Sequence, residues 1–267
     1  MIDTHCHLTF PDFKGRIDQT LEEARAAGVT GCITIATTSA DAPEALALAR
    51  AHERVWCSSG VHPLHAAEGP HDWRVIARVA REAACVAWGE LGLDNHYPEP
   101  ARDVQMAVLE EQLGVIERAR TGADGGSPVD KPIVIHCREA FAELIPVLRA
   151  RVADPGKLVF HCFTGTRAEA LRVLDLGAMI SFTGVATYRN AAEVREAARV
   201  VPGERIMVET DAPYLSPEPV RSSRPCRPAY ARHTAEALAG LRGERWEAFH
   251  EQINRNTSRF FGIEGVA

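Results

Sequence analysis

Eight short apolar runs recur along the chain, and most are followed by a stretch with helical periodicity. The runs are MIDTH (1–5), GCITIA (31–36), VWCSSG (55–60), VAWGE (86–90), PIVIH (132–136), LVFH (158–161), AMISF (178–182) and RIMVE (205–209). Strands apolar on both faces suit a parallel sheet covered by helices. Between them, Leu109, Leu113 and Ile116 recur at helical spacing within 101–120, as do Ala170, Leu171 and Leu174 within 166–176. Gly28, Gly177 and Gly203 stand just before strands, where helices are expected to stop. Eight such units in 267 residues predict a (β/α)8 TIM barrel as one domain over 1–267, with a doubly wound open sheet as the competing layout. The loop 121–132 reads as a surface connection, and 229–260 predicts two further helices that close or cap the barrel.

Composition narrows the function classes. A hydrophobic fraction of 46% supplies a core of ordinary size. The net charge of −6, with no lysine run, argues against broad coating of nucleic acid. No stretch is long and apolar enough for a membrane span, and Met1 leads straight into the first strand without a signal-peptide pattern. Seven cysteines, none in CxxC spacing, predict a reduced, cytoplasmic protein.

The chemistry is concentrated where the apolar runs stop. His5 and His7 end the first run, and His62 follows the third in VHP. Glu90 ends the fourth in GELGLD, His136 and Arg138 end the fifth in IHCR, and His161 ends the sixth in FHCFTG. Glu209 and Asp211 end the eighth in ETDAPYL. These are strand C-termini, where (β/α)8 barrels build their sites. His5 and His7 share one strand face and Cys6 takes the other. By the same alternation Cys137 and Cys162 are expected to turn away into packing. A carboxylate after VAWG is expensive to bury without a partner. The number of imidazoles and carboxylates suits two divalent metals that share a carboxylate and activate water. Taken singly the residues have plainer readings. Asp211 before Ala212 and Pro213 fits a helix N-cap, His62 before Pro63 fits a turn, and Arg138 fits a surface ion pair.

DTHCHL, GVHP, GELGLD, IHCREA, FHCFTG and ETDAPYLSP, in this order, together with the tail 228–262, make the chain resemble the TatD family of metal-dependent deoxyribonucleases, among the amidohydrolase-like barrels. The resemblance implies that His5, His7 and Asp211 hold one metal, that His136 and His161 hold the other, and that Glu90 bridges them. It implies that His62 and Arg138 lie near the substrate phosphate. It also implies metal-dependent phosphodiester hydrolysis on DNA, often exonucleolytic, with two divalent ions drawn from Mg, Mn or Zn. Two departures bear on substrate choice. Asn95 and His96 precede Tyr97 where the family commonly reads GLDY, and RPCRPAY replaces an RNEPAY-like stretch. Arg221, Arg224 and Arg227 lie close to the second departure, and Arg224 is the candidate for a phosphate contact there.

In the mechanism this implies, Asp211 takes or steers the proton of the attacking water, and His62 protonates the leaving oxygen or orients the substrate. Arg138 and Arg224 hold phosphate charge. An acidic chain should touch few phosphates, which favours short or single-stranded DNA ends. A small-molecule amidohydrolase or lactonase on the same metals is the rival, although Glu90 stands where a carbamylated lysine would otherwise bridge. A non-catalytic metal-binding or nucleic-acid-binding module is a further alternative.

Overall fold

A computed structural model of the chain describes residues 1–264. Strands and helices alternate from the start: β1 Ile2–Cys6, α1 Ile17–Ala26, β2 Gly31–Thr34, α2 Ala42–Ala51, β3 Val55–Ser59 and α3 Trp73–Ala80. The middle of the chain supplies β4 Cys85–Asp94, α4 Arg102–Thr121, β5 Ile133–Arg138 and α5 Phe141–Arg151. Then come β6 Leu158–Phe160, α6 Arg167–Leu176, β7 Met179–Phe182, α7 Ala192–Val200 and β8 Ile206–Val208, and α8 Ala231–Arg242 and α9 Trp246–Phe261 end the described chain. The eight strands pair in parallel in chain order, which is the (β/α)8 barrel expected from the spacing of the apolar runs. Among the described residues no helix is long and apolar enough to cross a membrane.

The core has two layers, and strand alternation sorts them. Ile135, Cys137, Phe160 and Phe182 join the cluster that includes the helices' apolar faces. Ile2, Ile33, Val134, Val159, Met179 and Met207 form a second cluster with Phe261 and Ile263 from the end of α9. On β5 the second cluster's Val134 shares a face with His136 and Arg138, and His161, just past β6, still bonds β5 through its N–H on the Ile135 carbonyl at 3.0 Å. The interior is therefore apolar below and polar above.

Two strands break the simple alternation, and both breaks serve the upper layer. Ile2 and His5 are three residues apart, so a regular strand would turn them to opposite faces. The register slips between Asp3 and Cys6, and both side chains then face inward. On β4 the register slips between Trp88 and Leu91, around Glu90. The sequence reading ended this strand at Glu90. It continues to Asp94, which pairs with Arg138. The two glycines of the GELGLD stretch make this possible. Both have positive φ, 113° at Gly89 and 152° at Gly92. A Cβ at Gly92 would lie 1.9 Å from the His136 carbonyl oxygen, so β5 approaches this closely only because no side chain is there.

Between β8 and β1 the ladder is thin. Asp211 N–H donates to His5 O at 2.9 Å and His7 N–H to Ala212 O at 2.7 Å. The buried Asp3 carboxylate completes the seam, taking the Thr210 N–H at 2.9 Å and the Thr210 hydroxyl at 2.6 Å. Thr4 donates across the same gap to the Val208 carbonyl at 3.3 Å. Asp3→Ala strands three buried donors, the His5 N–H among them, and is expected to cost about 2–4 kcal/mol. Urea unfolding should show the midpoint falling at unchanged slope, with Asp3→Asn losing less because an acceptor remains.

Candidate metal centre

Seven residues picked out in the sequence meet at the top of the barrel. Glu90, only 2% exposed, sits at the middle of them. Its Oε2 lies 2.7 Å from His161 Nε2, 3.4 Å from His5 Nε2 and 3.8 Å from His136 Nδ1. Its Oε1 lies 3.3 Å from His62 Nε2. Asp211 Oδ1 reaches His7 Nε2 at 3.3 Å and His5 Nε2 at 3.6 Å. The donor atoms of His5, His7 and Glu90 are close enough together for one ion, and so are those of His62, Glu90 and His136.

The outer nitrogens decide which inner nitrogens are free to bind. His136 Nε2 is 2.9 Å from Asp94 Oδ2, so that nitrogen carries the hydrogen and Nδ1 faces the centre bare. His7 Nδ1 is held by the Ile35 carbonyl at 3.3 Å, which leaves Nε2 toward Asp211. His161 Nδ1 lies 3.5 Å from Glu209, which is itself held by Cys162 N–H and the Thr4 hydroxyl. His62 is different. Its Nδ1 accepts the Leu64 N–H at 3.0 Å, so a neutral ring keeps its hydrogen on Nε2. That N–H points at His136 Nδ1, 3.1 Å away. His62 is thus a hydrogen-bond donor beside the centre, although distance alone would admit it as a ligand.

The titration behaviour follows from burial and from Glu90. Burial would raise the Glu90 carboxyl, but His62, His161 and His5 hold it well below the usual carboxylate range. Burial would lower His161, but Glu90 and Glu209 lift it well above an ordinary imidazole. Burial would also lower His136 and His7, and Asp94 and Asp211 respectively raise them. His5 and His62 are pushed well below the ordinary value, by burial first and by neighbouring imidazoles against the pull of Glu90.

The donor set fits a divalent metal. Both ring nitrogens of His5 are buried without a hydrogen-bond partner, 3.4 Å from Glu90 Oε2 in the case of Nε2. Orphaned polar atoms of this kind are costly, and a cation between them removes the cost. Imidazole nitrogens held by outer acceptors, with carboxylates beside them, are the arrangement of a metal site.

Other expectations have definite outcomes. Asp211 does not cap a helix. Its backbone is left-handed, with φ of 62°, and it opens a turn closed by Tyr214 N–H on its carbonyl. Arg138 lines the same 1130 Å³ cleft, with its guanidinium 5.3 Å from the centre of the Tyr97 ring. Arg224 is not brought to the cleft, because its guanidinium donates to the Arg221 and Ser223 carbonyls within its own loop. Cys162 was expected to turn into packing, but it lines the cleft, because β6 ends at Phe160 and alternation no longer holds there. Asp94 and Asp3 had been given no part. Asp94 was within reach of the sequence, since it stands four residues after Glu90 on the same strand face.

The family model described as TatD related DNase matches residues 2–262. The chain is 37% identical to the "Uncharacterized metal-dependent hydrolase YcfH" of Escherichia coli, over 99% of this chain and 96% of that one. It is 34% identical to the "3'-5' ssDNA/RNA exonuclease TatD" of Pantoea ananatis, over 98% of this chain and the whole of that one. The crystal structure of YjjV, a TatD homologue from Escherichia coli, superposes with a TM-score of 0.89 at 30% identity, covering 98% of each chain. The chain thus has relatives over nearly its whole length, and it belongs to the family of TatD related DNases.

Proposed function

We propose that this protein is a metal-dependent exonuclease that hydrolyses phosphodiester bonds at the ends of single-stranded DNA or RNA. The observation that carries the reading is Glu90, buried at the middle of His5, His62, His136 and His161, with both ring nitrogens of His5 left without a hydrogen-bond partner beside it. The relatives named as exonucleases and as a metal-dependent hydrolase support the substrate class. His5, His7 and Asp211 would hold one divalent ion and His136 and His161 a second, with Glu90 supplying a carboxylate to both. A donor set this rich in imidazole favours Mn or Zn over Mg.

When bound, such ions polarise a phosphoryl oxygen and lower the pKa of a water. Asp211 would accept the proton of the attacking water, because its side chain is only partly covered and reaches the cleft beside His7. His62, kept neutral by burial, donates its Nε2 hydrogen to a phosphate oxygen rather than giving up a proton. Arg138 meets the remaining phosphate charge from the cleft wall. Asp94 and Glu209 act through His136 and His161, keeping the ring hydrogens on the outer nitrogens.

Glu90→Ala should lose cleavage of an end-labelled single strand by at least about a thousand-fold and bind fewer metals per chain by elemental analysis. Full turnover with two metals retained would refute the bridging role. Asp211→Asn should unfold at a urea midpoint close to wild type yet be nearly inactive, with kcat falling far more than KM rises. Chelation should abolish cleavage, and reloading with Mn or Zn should restore both activity and the metal-dependent rise in Tm.

A further inference from the structure

The cleft beyond the centre combines two features that are unusual together for a site acting on a polyanion. Its walls carry Glu99, Glu139, Glu169 and Glu193, against a single guanidinium, Arg138, among the described lining residues. Its mouth carries aromatic rings. Three large apolar side chains are markedly exposed on the described surface, and two of them, Tyr97 at 47% and Tyr214 at 54%, line this cleft. Phe10 is the third aromatic at the mouth.

These rings are placed by the centre itself. Each follows by three positions a residue of the centre or, for Tyr97, the aspartate behind His136, and is tied back to it by its own backbone N–H. Phe10 N–H donates to the His7 carbonyl at 3.1 Å, and Tyr214 N–H to the Asp211 carbonyl at 2.9 Å. Tyr97 N–H reaches Asp94 Oδ1 at 3.4 Å. The Phe10 ring lies flat on His7, with centroids 4.6 Å apart, and meets Tyr214 edge-on at 6.3 Å. The Tyr97 ring is backed by Arg138. Both tyrosines line this one cleft. Burial raises the Tyr214 phenol, and Asp211, Asp12 and the Tyr97 phenol each add to that.

Exposed rings fixed this close to the reacting position have a use if the ligand offers flat faces. Beyond the metal ions, His62 and Arg138 the acidic wall gives phosphates little attraction, so further affinity is drawn from another part of the substrate. Unpaired nucleobases supply it, because every base has a face that stacks on an aromatic ring. Bases held in a duplex do not offer that face.

We propose that Tyr214, supported by Phe10, and Tyr97, supported by Arg138, form an aromatic bracket that stacks the unpaired bases next to the scissile phosphate and makes the enzyme dependent on a single-stranded end. The proposal rests on the exonuclease reading above and adds the residues that select the substrate. The two tyrosines are specificity determinants, and they act by contact with the base rather than with the reacting phosphate.

The test compares a short single-stranded oligonucleotide with one of the same length whose last three 3' residues are abasic tetrahydrofuran units. Metal-loaded wild-type enzyme should prefer the natural end, by kcat/KM, by about ten-fold or more. Tyr214→Ala and Tyr97→Ala should each shrink that preference several-fold, chiefly through KM, and Tyr214→Phe should restore most of it because the ring face is kept. Equal losses on the natural and abasic ends would overturn the bracket and leave the exonuclease reading standing, as would an undiminished preference in both alanine variants. Failure of the wild-type enzyme to cleave either oligonucleotide would remove the exonuclease reading and the bracket with it.

Discussion

A glutamate that is 2% exposed must be compensated from within the protein, and much of the upper barrel is organised around Glu90. Four imidazoles approach it, from β1, from the end of β3, from β5 and from the end of β6. A buried carboxylate surrounded by neutral rings would be poorly served, and one surrounded by fully charged rings would place like charges against each other. The structure divides the burden. His161 and His136 are raised by acidic neighbours, while His5 and His62 are pushed toward neutrality. What remains is His5, with neither ring nitrogen partnered, beside a buried carboxylate ringed by imidazoles. This is a stable arrangement for a cation and a costly one without it.

The backbone is irregular where this centre requires it. Parallel strands in a barrel alternate between the core below the helices and the barrel interior. The register slips on β1 and β4 let the lower interior stay apolar while His5 and Glu90 turn inward above it. On β4 the slip depends on glycines at positions 89 and 92, where β5 presses against the backbone. The β8–β1 seam is held by the Asp3 side chain as well as by the backbone, because β8 ends at Val208, before the chain reaches Asp211. Fold and site therefore share parts. The strand that brings His5 and His7 also closes the barrel through Asp3.

The loops above the strands add a second level of organisation. Short turns bond the backbone of Phe10 and Tyr214 to residues of the centre, and Tyr97 to the aspartate behind His136. Rings at the mouth consequently inherit the precision of the strand ends, although they sit on exposed loops. The same region contains the NH dipeptide that departs from the family pattern. Asn95 N–H bonds the Arg138 carbonyl and His96 pairs with Glu139 at 2.8 Å, so the departure is built into the wall of the cleft.

Much of this was legible in the chain itself. All eight strands follow from apolar runs, because burial on both faces leaves a continuous signal. The order of units and the placing of His5, His7, Glu90, His136 and His161 at strand ends follow from the same reading, since period-two alternation is a local property. Asp94 was also within that reach, had β4 been carried past the glycines. Other decisions needed the third dimension. That β4 continues through its slip depends on how β5 lies against Gly92. That His62 turns Nε2 toward His136 and Glu90 depends on the Leu64 N–H at its far nitrogen. That Arg224 stays outside the cleft, and Cys162 comes into it, depends on loop paths with no periodicity to read. Sequence alone determined which residue types end each strand, because spacing along a strand is short-range. Only the tertiary structure decided which nitrogen of each ring is free and which cation faces the cleft, because both are set by partners distant in the chain.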